Sequence, residues 1–109
     1  MGQKPPRMTL STQLVLDVLL QDPGQEMYGA EIGSAAGLAS GTVHPILARL
    51  EGMAWVESRW EHIDPSAAGR PPRRYYTITP HGVTSARAAM ARLGHARLGQ
   101  LRLRPGENG

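Results

Sequence analysis

Ser40-Gly41-Thr42-Val43-His44-Pro45-Ile46-Leu47-Ala48-Arg49-Leu50-Glu51-Gly52-Met53 is the stretch that decides the fold. Val43, Ile46, Leu47, Leu50 and Met53 recur at i, i+3, i+4, i+7 and i+10, so a helix wound through them buries one apolar face. The opposite arc carries Thr42, His44, Pro45, Ala48, Arg49 and Gly52. Ser40 reads as the N-cap, because its hydroxyl can accept a hydrogen bond from a backbone N–H of the first turn. Pro45 lies early in the helix, and the distortion it causes falls on Gly41, the most forgiving neighbour. Gly52 marks the end.

Two helices are predicted before this one. Leu10, Leu14, Val15, Val18, Leu19 and Leu20 make a wide apolar stripe, with Thr9 or Ser11 as N-cap and Asp22-Pro23-Gly24 as the stop. So wide a stripe exceeds what one small core needs. One edge, with Leu14 and Val18, is therefore assigned to a second subunit. The next helix is expected from about Met27 to Ala36, with Gly37 at the C′ position and Leu38-Ala39 as a short turn.

Downstream the pattern changes. Trp55 to Ile63 alternates β-branched and aromatic residues with charges, and Arg74-Tyr75-Tyr76-Thr77-Ile78 has period two with Tyr76 and Ile78 on one face. These two strands form a hairpin, joined by a loop over residues 64–69 and the basic tip Arg70-Pro71-Pro72-Arg73-Arg74. Trp55 is read as a core residue anchoring the first strand, and Trp60 as packed beneath the tip, with the shaping of an effector pocket as the alternative. Thr79-Pro80 is a cap followed by proline at N1, which opens a last helix running to about Leu103. Val83, Ala86, Met90, Leu93, Leu98 and Leu101 form a narrow stripe along it, resembling a coiled-coil seam.

Composition narrows the function. The chain has 109 residues, no Cys and no Phe, with 12 Lys+Arg against 9 Asp+Glu for a formal charge of +3. The basic residues are unevenly spread: from Glu57 onward nine Arg face four acids (Glu57, Glu61, Asp64, Glu107). A positive C-terminal half points to a polyanionic partner, nucleic acid before others. Without Cys there is no disulfide, reactive thiolate or thiolate zinc site. No apolar run reaches a membrane span and no signal-peptide pattern opens the chain, so a cytoplasmic location without membrane contact is expected.

Three helices, a basic hairpin and a long last helix are the order of a winged helix-turn-helix. The fold class read from the sequence is thus mainly α with a small β-hairpin. It divides into a flexible arm (1–8), the winged helix-turn-helix (9–79), a dimerisation helix (80–103) and a disordered tail (104–109). A helix with one face pinned in the core can lay its other face in the major groove of double-stranded DNA. Small residues Gly41, Thr42, Pro45 and Ala48 permit close approach, and Ser40, Thr42, His44 and Arg49 supply hydrogen-bonding groups. Arg70, Arg73 and Arg74 on the stiffened tip suit phosphate contact or a narrow minor groove. Homodimer contacts are assigned to Leu14, Val18, Val83, Met90, Leu93, Leu98 and Leu101.

The motifs Met27-Tyr28-Gly29-Ala30-Glu31-Ile32, Ser40 to Glu51, and Gly69 to Thr79 followed by Gly82 resemble the PadR family of transcriptional regulators over about residues 10–93. The resemblance implies a homodimeric repressor of a nearby operon, released from DNA by a small molecule. The length is similar to that of short members with a single C-terminal helix. The resemblance also puts Tyr28 near the DNA backbone, the recognition helix at Ser40–Met53 and the wing at Gly69–Arg74. Where that family usually has Tyr before Pro45 this chain has His44, whose imidazole could donate to a phosphate or base.

Two other readings stand beside this one. A winged helix that has lost DNA binding would be a protein-interaction module. A metal-responsive regulator would need the four His, but His44, His62, His81 and His95 lie on different elements without i, i+4 spacing, so no metal or cofactor is assigned. No nucleophile-elbow or phosphate-cradling motif is present, so catalysis is not expected. The last helix carries no aromatic residue, which gives no support there for an effector pocket built by stacking.

Overall fold

The run from Ser40 is helical, as its periodicity requires, and the rest of the chain holds it in place. The computed structural model describes residues 7–102, with side chains to residue 95. In chain order the elements are α1 (Leu10–Gln21), β1 (Met27–Tyr28), α2 (Gly29–Ala36), α3 (Ser40–Gly52), β2 (Val56–Trp60), α4 (Pro65–Ala68), β3 (Arg74–Ile78) and α5 (Pro80–Arg102). Residues 1–6 of the expected arm and the expected tail lie outside the described residues, as do the side chains of Leu98 and Leu101. Met8, assigned to the arm, packs against the core instead, and its carbonyl accepts a 2.8 Å hydrogen bond from Gln13.

Thr9 caps α1, accepting the Thr12 N–H at 3.2 Å. The buried face runs through Thr12, Val15, Leu16, Val18 and Leu19. Leu16, absent from the sequence-read stripe, has no exposed surface, whereas Leu10 is 70% exposed. The core row begins on a polar residue, which hid it. The Thr12 hydroxyl is satisfied there by the Thr9 hydroxyl, which donates at 3.0 Å. Val18, assigned to a subunit seam, packs in the chain's own core, and Leu14 is half-buried.

The second helix starts later than its periodicity suggested. Met27 and Tyr28 are extended and pair with Tyr76 and Tyr75 of β3, so the hairpin is one part of a three-stranded antiparallel sheet in the order β1-β3-β2. A two-residue strand whose partner is remote in sequence leaves no local period to read. Helix α2 ends on Gly37, whose φ of 72° lies in the left-handed region. Gly33 lets the chain turn tightly into α3, since a Cβ there would fall 2.9 Å from the Leu38 carbonyl oxygen.

Helix α3 buries Val43, Ile46, Leu47 and Leu50 and passes through Pro45 without a break. Its N-cap is Ala39; Ser40, expected to cap, is the first helical residue. The Ala39 carbonyl accepts the N–H groups of Thr42 and Val43 at 2.9 and 3.1 Å, and its methyl side chain caps nothing. With Ile32, Trp55, Val56, Tyr76, Ile78, Ala86 and Ala89, these side chains form one core. Each large aliphatic group buried there contributes about 1.5–3 kcal/mol.

The junction from α3 to β2 and α5 is tight. Ala54 has φ 61°, the left-handed region, to reverse the chain after α3. Thr79 donates through its hydroxyl to the Ala54 carbonyl at 2.7 Å and accepts the Gly82 N–H at 2.9 Å. A Cβ on Gly82 would stand 2.0 Å from the Trp55 carbonyl oxygen, so α5 reaches the core only because that side chain is absent. Beyond it Ala86 and Ala89 are buried, while Val83, Met90 and Leu93 are half-buried.

Candidate nucleic-acid interface

The division of α3 places its polar arc outward. Ser40, Gly41, Thr42, His44, Pro45, Ala48 and Arg49 are all exposed on one helix whose other face is in the core. The first turn has no side-chain cap, so the N–H groups of Ser40 and Gly41 have no capping side chain and face water or an anion. His44 lies against the start of α2: a Cβ on Gly29 would fall 2.7 Å from its Cε1 atom. Helix α3 is therefore keyed to α2 through an imidazole resting on glycine.

Tyr28, the N-cap of α2, donates its N–H to Glu31 Oε1 at 3.1 Å. Its ring meets Tyr75 edge-on at 5.9 Å, and the Arg73 guanidinium lies 4.3 Å from its centroid. A cation over an aromatic face is attracted by the ring quadrupole. The start of α2 and the wing are thus in direct contact. The sequence reading put both near DNA without indicating that they touch.

The wing is more ordered than a loop. Pro65–Ala68 form the helical turn α4, capped by Asp64, which accepts the Ser66 N–H at 3.0 Å, and closed by Gly69 at φ 70°. The signal was available, because Asp64-Pro65 repeats the cap-then-proline pattern of Thr79-Pro80.

The wing arginines are not equivalent. Arg70 holds Glu61 with both terminal nitrogens, at 2.7 and 3.0 Å. Glu61 also accepts the Arg73 N–H at 3.2 Å and the Tyr75 hydroxyl at 3.3 Å. Its carboxyl is held down at about 2, chiefly by the Arg70 hydrogen bonds and then by the Arg73 N–H, against the opposing effect of burial. Arg74 donates to Ser58 Oγ at 2.9 Å and reaches Glu51 at 3.5 Å. Arg59, which the sequence reading passed over, pairs with Glu26 and lies over Tyr75. Its hydrogen bond lowers the Glu26 carboxyl below its usual value. Among the described residues Arg73 has no carboxylate partner.

Strand alternation explains the sorting. Glu57, Arg59 and Glu61 of the β2 segment share the outer face with Tyr75 and Tyr28, while Val56, Ser58 and Trp60 share the face toward α3 with Arg74, Tyr76 and Ile78. Trp60, expected beneath the wing, is 56% exposed, because β2 runs past the edge of the core. Of the seam residues with described side chains, Leu14, Val83, Met90 and Leu93 keep partial exposure. An open groove of about 520 Å³ lies at the α3–α5 junction, lined by Met53, His81, Ser85 and Arg92 among others. Among the described residues no three His, Cys, Asp or Glu side chains converge on a metal-sized site, and no helix is long and apolar enough to cross a membrane.

The family described as Transcriptional regulator PadR-like family matches residues 15–88. The fold is similar to that of a PadR family transcriptional regulator from Eggerthella lenta, with TM-score 0.71, 24% identity, and coverage of 90% of this chain and 87% of that one. It is also similar to a PadR family transcription regulator from hypervirulent Clostridium difficile, with TM-score 0.66, 19% identity, and coverage of 86% and 97%. These two likenesses speak for the winged-helix fold. Overoxidized AbfR, solved bound to DNA, is similar at TM-score 0.63 and 26% identity over 82% of this chain and 60% of its own. No curated protein matches the chain significantly.

Proposed function

This chain belongs to the PadR-like family of transcriptional regulators, and on that premise we propose that it is a homodimeric repressor that binds double-stranded operator DNA and is released by a small-molecule effector. The observation that carries the DNA part is the split of α3. Val43, Ile46, Leu47 and Leu50 fix the helix in the core, while Thr42, His44, Pro45, Ala48 and Arg49 stand in solvent. Such a helix can enter a major groove with its first turn toward a phosphate. Arg73, placed over Tyr28, supplies the wing's phosphate contact, and Tyr28 carries the wing's position to the start of α2.

Dimerisation is assigned to α5 together with the exposed edge of α1, because Leu14, Val83, Met90 and Leu93 remain partly exposed after the core is filled. The effector part is supported by the groove at the α3–α5 junction, where His81 and Arg92 favour an anionic ligand. The work of such a protein is in the cytoplasm and needs no catalytic step. The carboxylate pairing of Arg59, Arg70 and Arg74 favours the second reading, a protein-interaction module, because it removes positive charge from the surface.

The deciding experiment is an anisotropy titration of the full chain with a labelled duplex from the gene's own upstream region, beside a scrambled duplex of the same composition. The repressor reading requires tighter binding to the native duplex and a steep loss with salt. Equal, salt-insensitive or absent binding would leave the interaction module as the better account.

A further inference from the structure

Trp60 is a large aromatic side chain left exposed outside the core. Trp55 is 5% exposed and anchors the start of β2, whereas Trp60 at the end of the same strand is 56% exposed. A single exposed apolar residue is ordinary. Here, however, the ring is held. Arg74, the Cα partner of Trp60 across the β2–β3 pair, places its guanidinium 5.2 Å from the ring centroid. Arg74 is fixed in turn by Ser58 Oγ at 2.9 Å, and the Ser58 hydroxyl donates to Glu51 Oε2 at 2.6 Å. A chain of contacts therefore runs from the last turn of α3, through Glu51, Ser58 and Arg74, to the indole. It ties the ring to the helix proposed to read DNA.

We propose that Trp60 and Arg74 form a stacking plate that packs on the sugar–phosphate backbone of duplex DNA beside the groove entered by α3. The inference rests on the DNA-binding reading and adds a contact to it. Its chemistry has two halves. The indole offers an apolar face to deoxyribose C–H groups, and the guanidinium beside it meets the adjacent phosphate. Two nitrogens of Arg74 are taken by Ser58 and Glu51, so Nη1 is the one left for a phosphate oxygen. The sheet face carrying Ser58, Trp60 and Arg74 is the one turned toward α3. The plate therefore stands beside the last turn of α3, tied to it through Glu51. A duplex backbone fits that placement, because its phosphates follow the rim of the groove.

The test uses the two tryptophans as reporter and control. Acrylamide quenching of the full-length protein is measured with and without the upstream duplex, while anisotropy follows binding. Trp60 supplies most of the quenchable emission in free protein, and bound duplex lowers quenching to the level of Trp60→Phe. Trp60→Ala weakens duplex binding about tenfold, the scale of about 50 Å² of apolar surface removed from water, and leaves the salt slope unchanged because no charge is removed. Trp60→Tyr retains most of the affinity. If wild-type protein binds the duplex while its quenching does not change, the plate is wrong and the DNA reading stands. If Trp60→Ala is folded by thermal melt and binds within about twofold of wild type, the plate is likewise wrong. No binding by the wild type overturns both.

Discussion

Arg70 grips Glu61 through both terminal nitrogens, at 2.7 Å to Oε1 and 3.0 Å to Oε2. The carboxylate gathers two further groups, the Tyr75 hydroxyl and the Arg73 backbone N–H, at the neck of the wing. A bidentate guanidinium–carboxylate pair fixes geometry as well as charge. Arg70 is thereby a staple of the wing, and the wing's free positive charge is concentrated on Arg73.

The staple has a pH signature. Glu61 titrates at about 2 in the folded chain against 4.5 ordinarily. Its contribution to stability is therefore complete above pH 4.5 and disappears as the pH falls toward 2. A carbon-detected NMR titration should give the Glu61 carboxyl a midpoint well below the other exposed carboxylates. Glu61→Gln should make the wing amides exchange faster at neutral pH. A Glu61 midpoint at the ordinary carboxylate value would mean that the pair does not persist in solution.

Arg70→Ala and Arg73→Ala should separate staple from grip. Loss of Arg73 should weaken binding to all duplexes several-fold and reduce the salt slope by about 1. Loss of Arg70 should raise amide exchange across 61–73 and change the slope less. Equal slopes for the two variants would return Arg70 to the phosphate contacts read from the sequence.

The junction after α3 gives two stability predictions of opposite sign. Gly82→Ala drives a methyl into the Trp55 carbonyl and should cost about 2–3 kcal/mol, with a clear drop in Tm. Ala54→Gly relieves a left-handed alanine and should raise stability by about 0.5–1 kcal/mol. Urea melts check both. A neutral Gly82→Ala would show that α5 sits farther from the Trp55 carbonyl.

Leu93→Asp tests the proposed seam on α5, where the side chain is half-buried within a single chain. Light scattering should give a monomer mass for the variant and a dimer mass for the wild type. An unchanged dimer would move the interface off α5.

The division of α3 into a buried and an exposed face was legible in the sequence because it depends on local period. Val43, Ile46, Leu47 and Leu50 repeat within one helix, and burying them turns Thr42, His44 and Arg49 outward whatever the neighbours are. Thr9 and the Thr79-Pro80 start were legible for the same reason, since a cap is a contact across three or four residues. Thr12 and Leu16 were not, because a polar residue in a core row breaks the apolar count even when a neighbouring hydroxyl satisfies it.

The sequence by itself determined the helix order, the split of α3 and the presence of a basic wing. Tertiary structure alone decided which arginines of that wing are paired, because Glu61, Arg70, Arg73 and Tyr75 come together only when two strands align in register. It also decided that Met27-Tyr28 is a strand, since the pairing partner lies in β3. And it decided that Trp60 stands in solvent, because strand period says which face a residue takes but not where the core beneath that face ends.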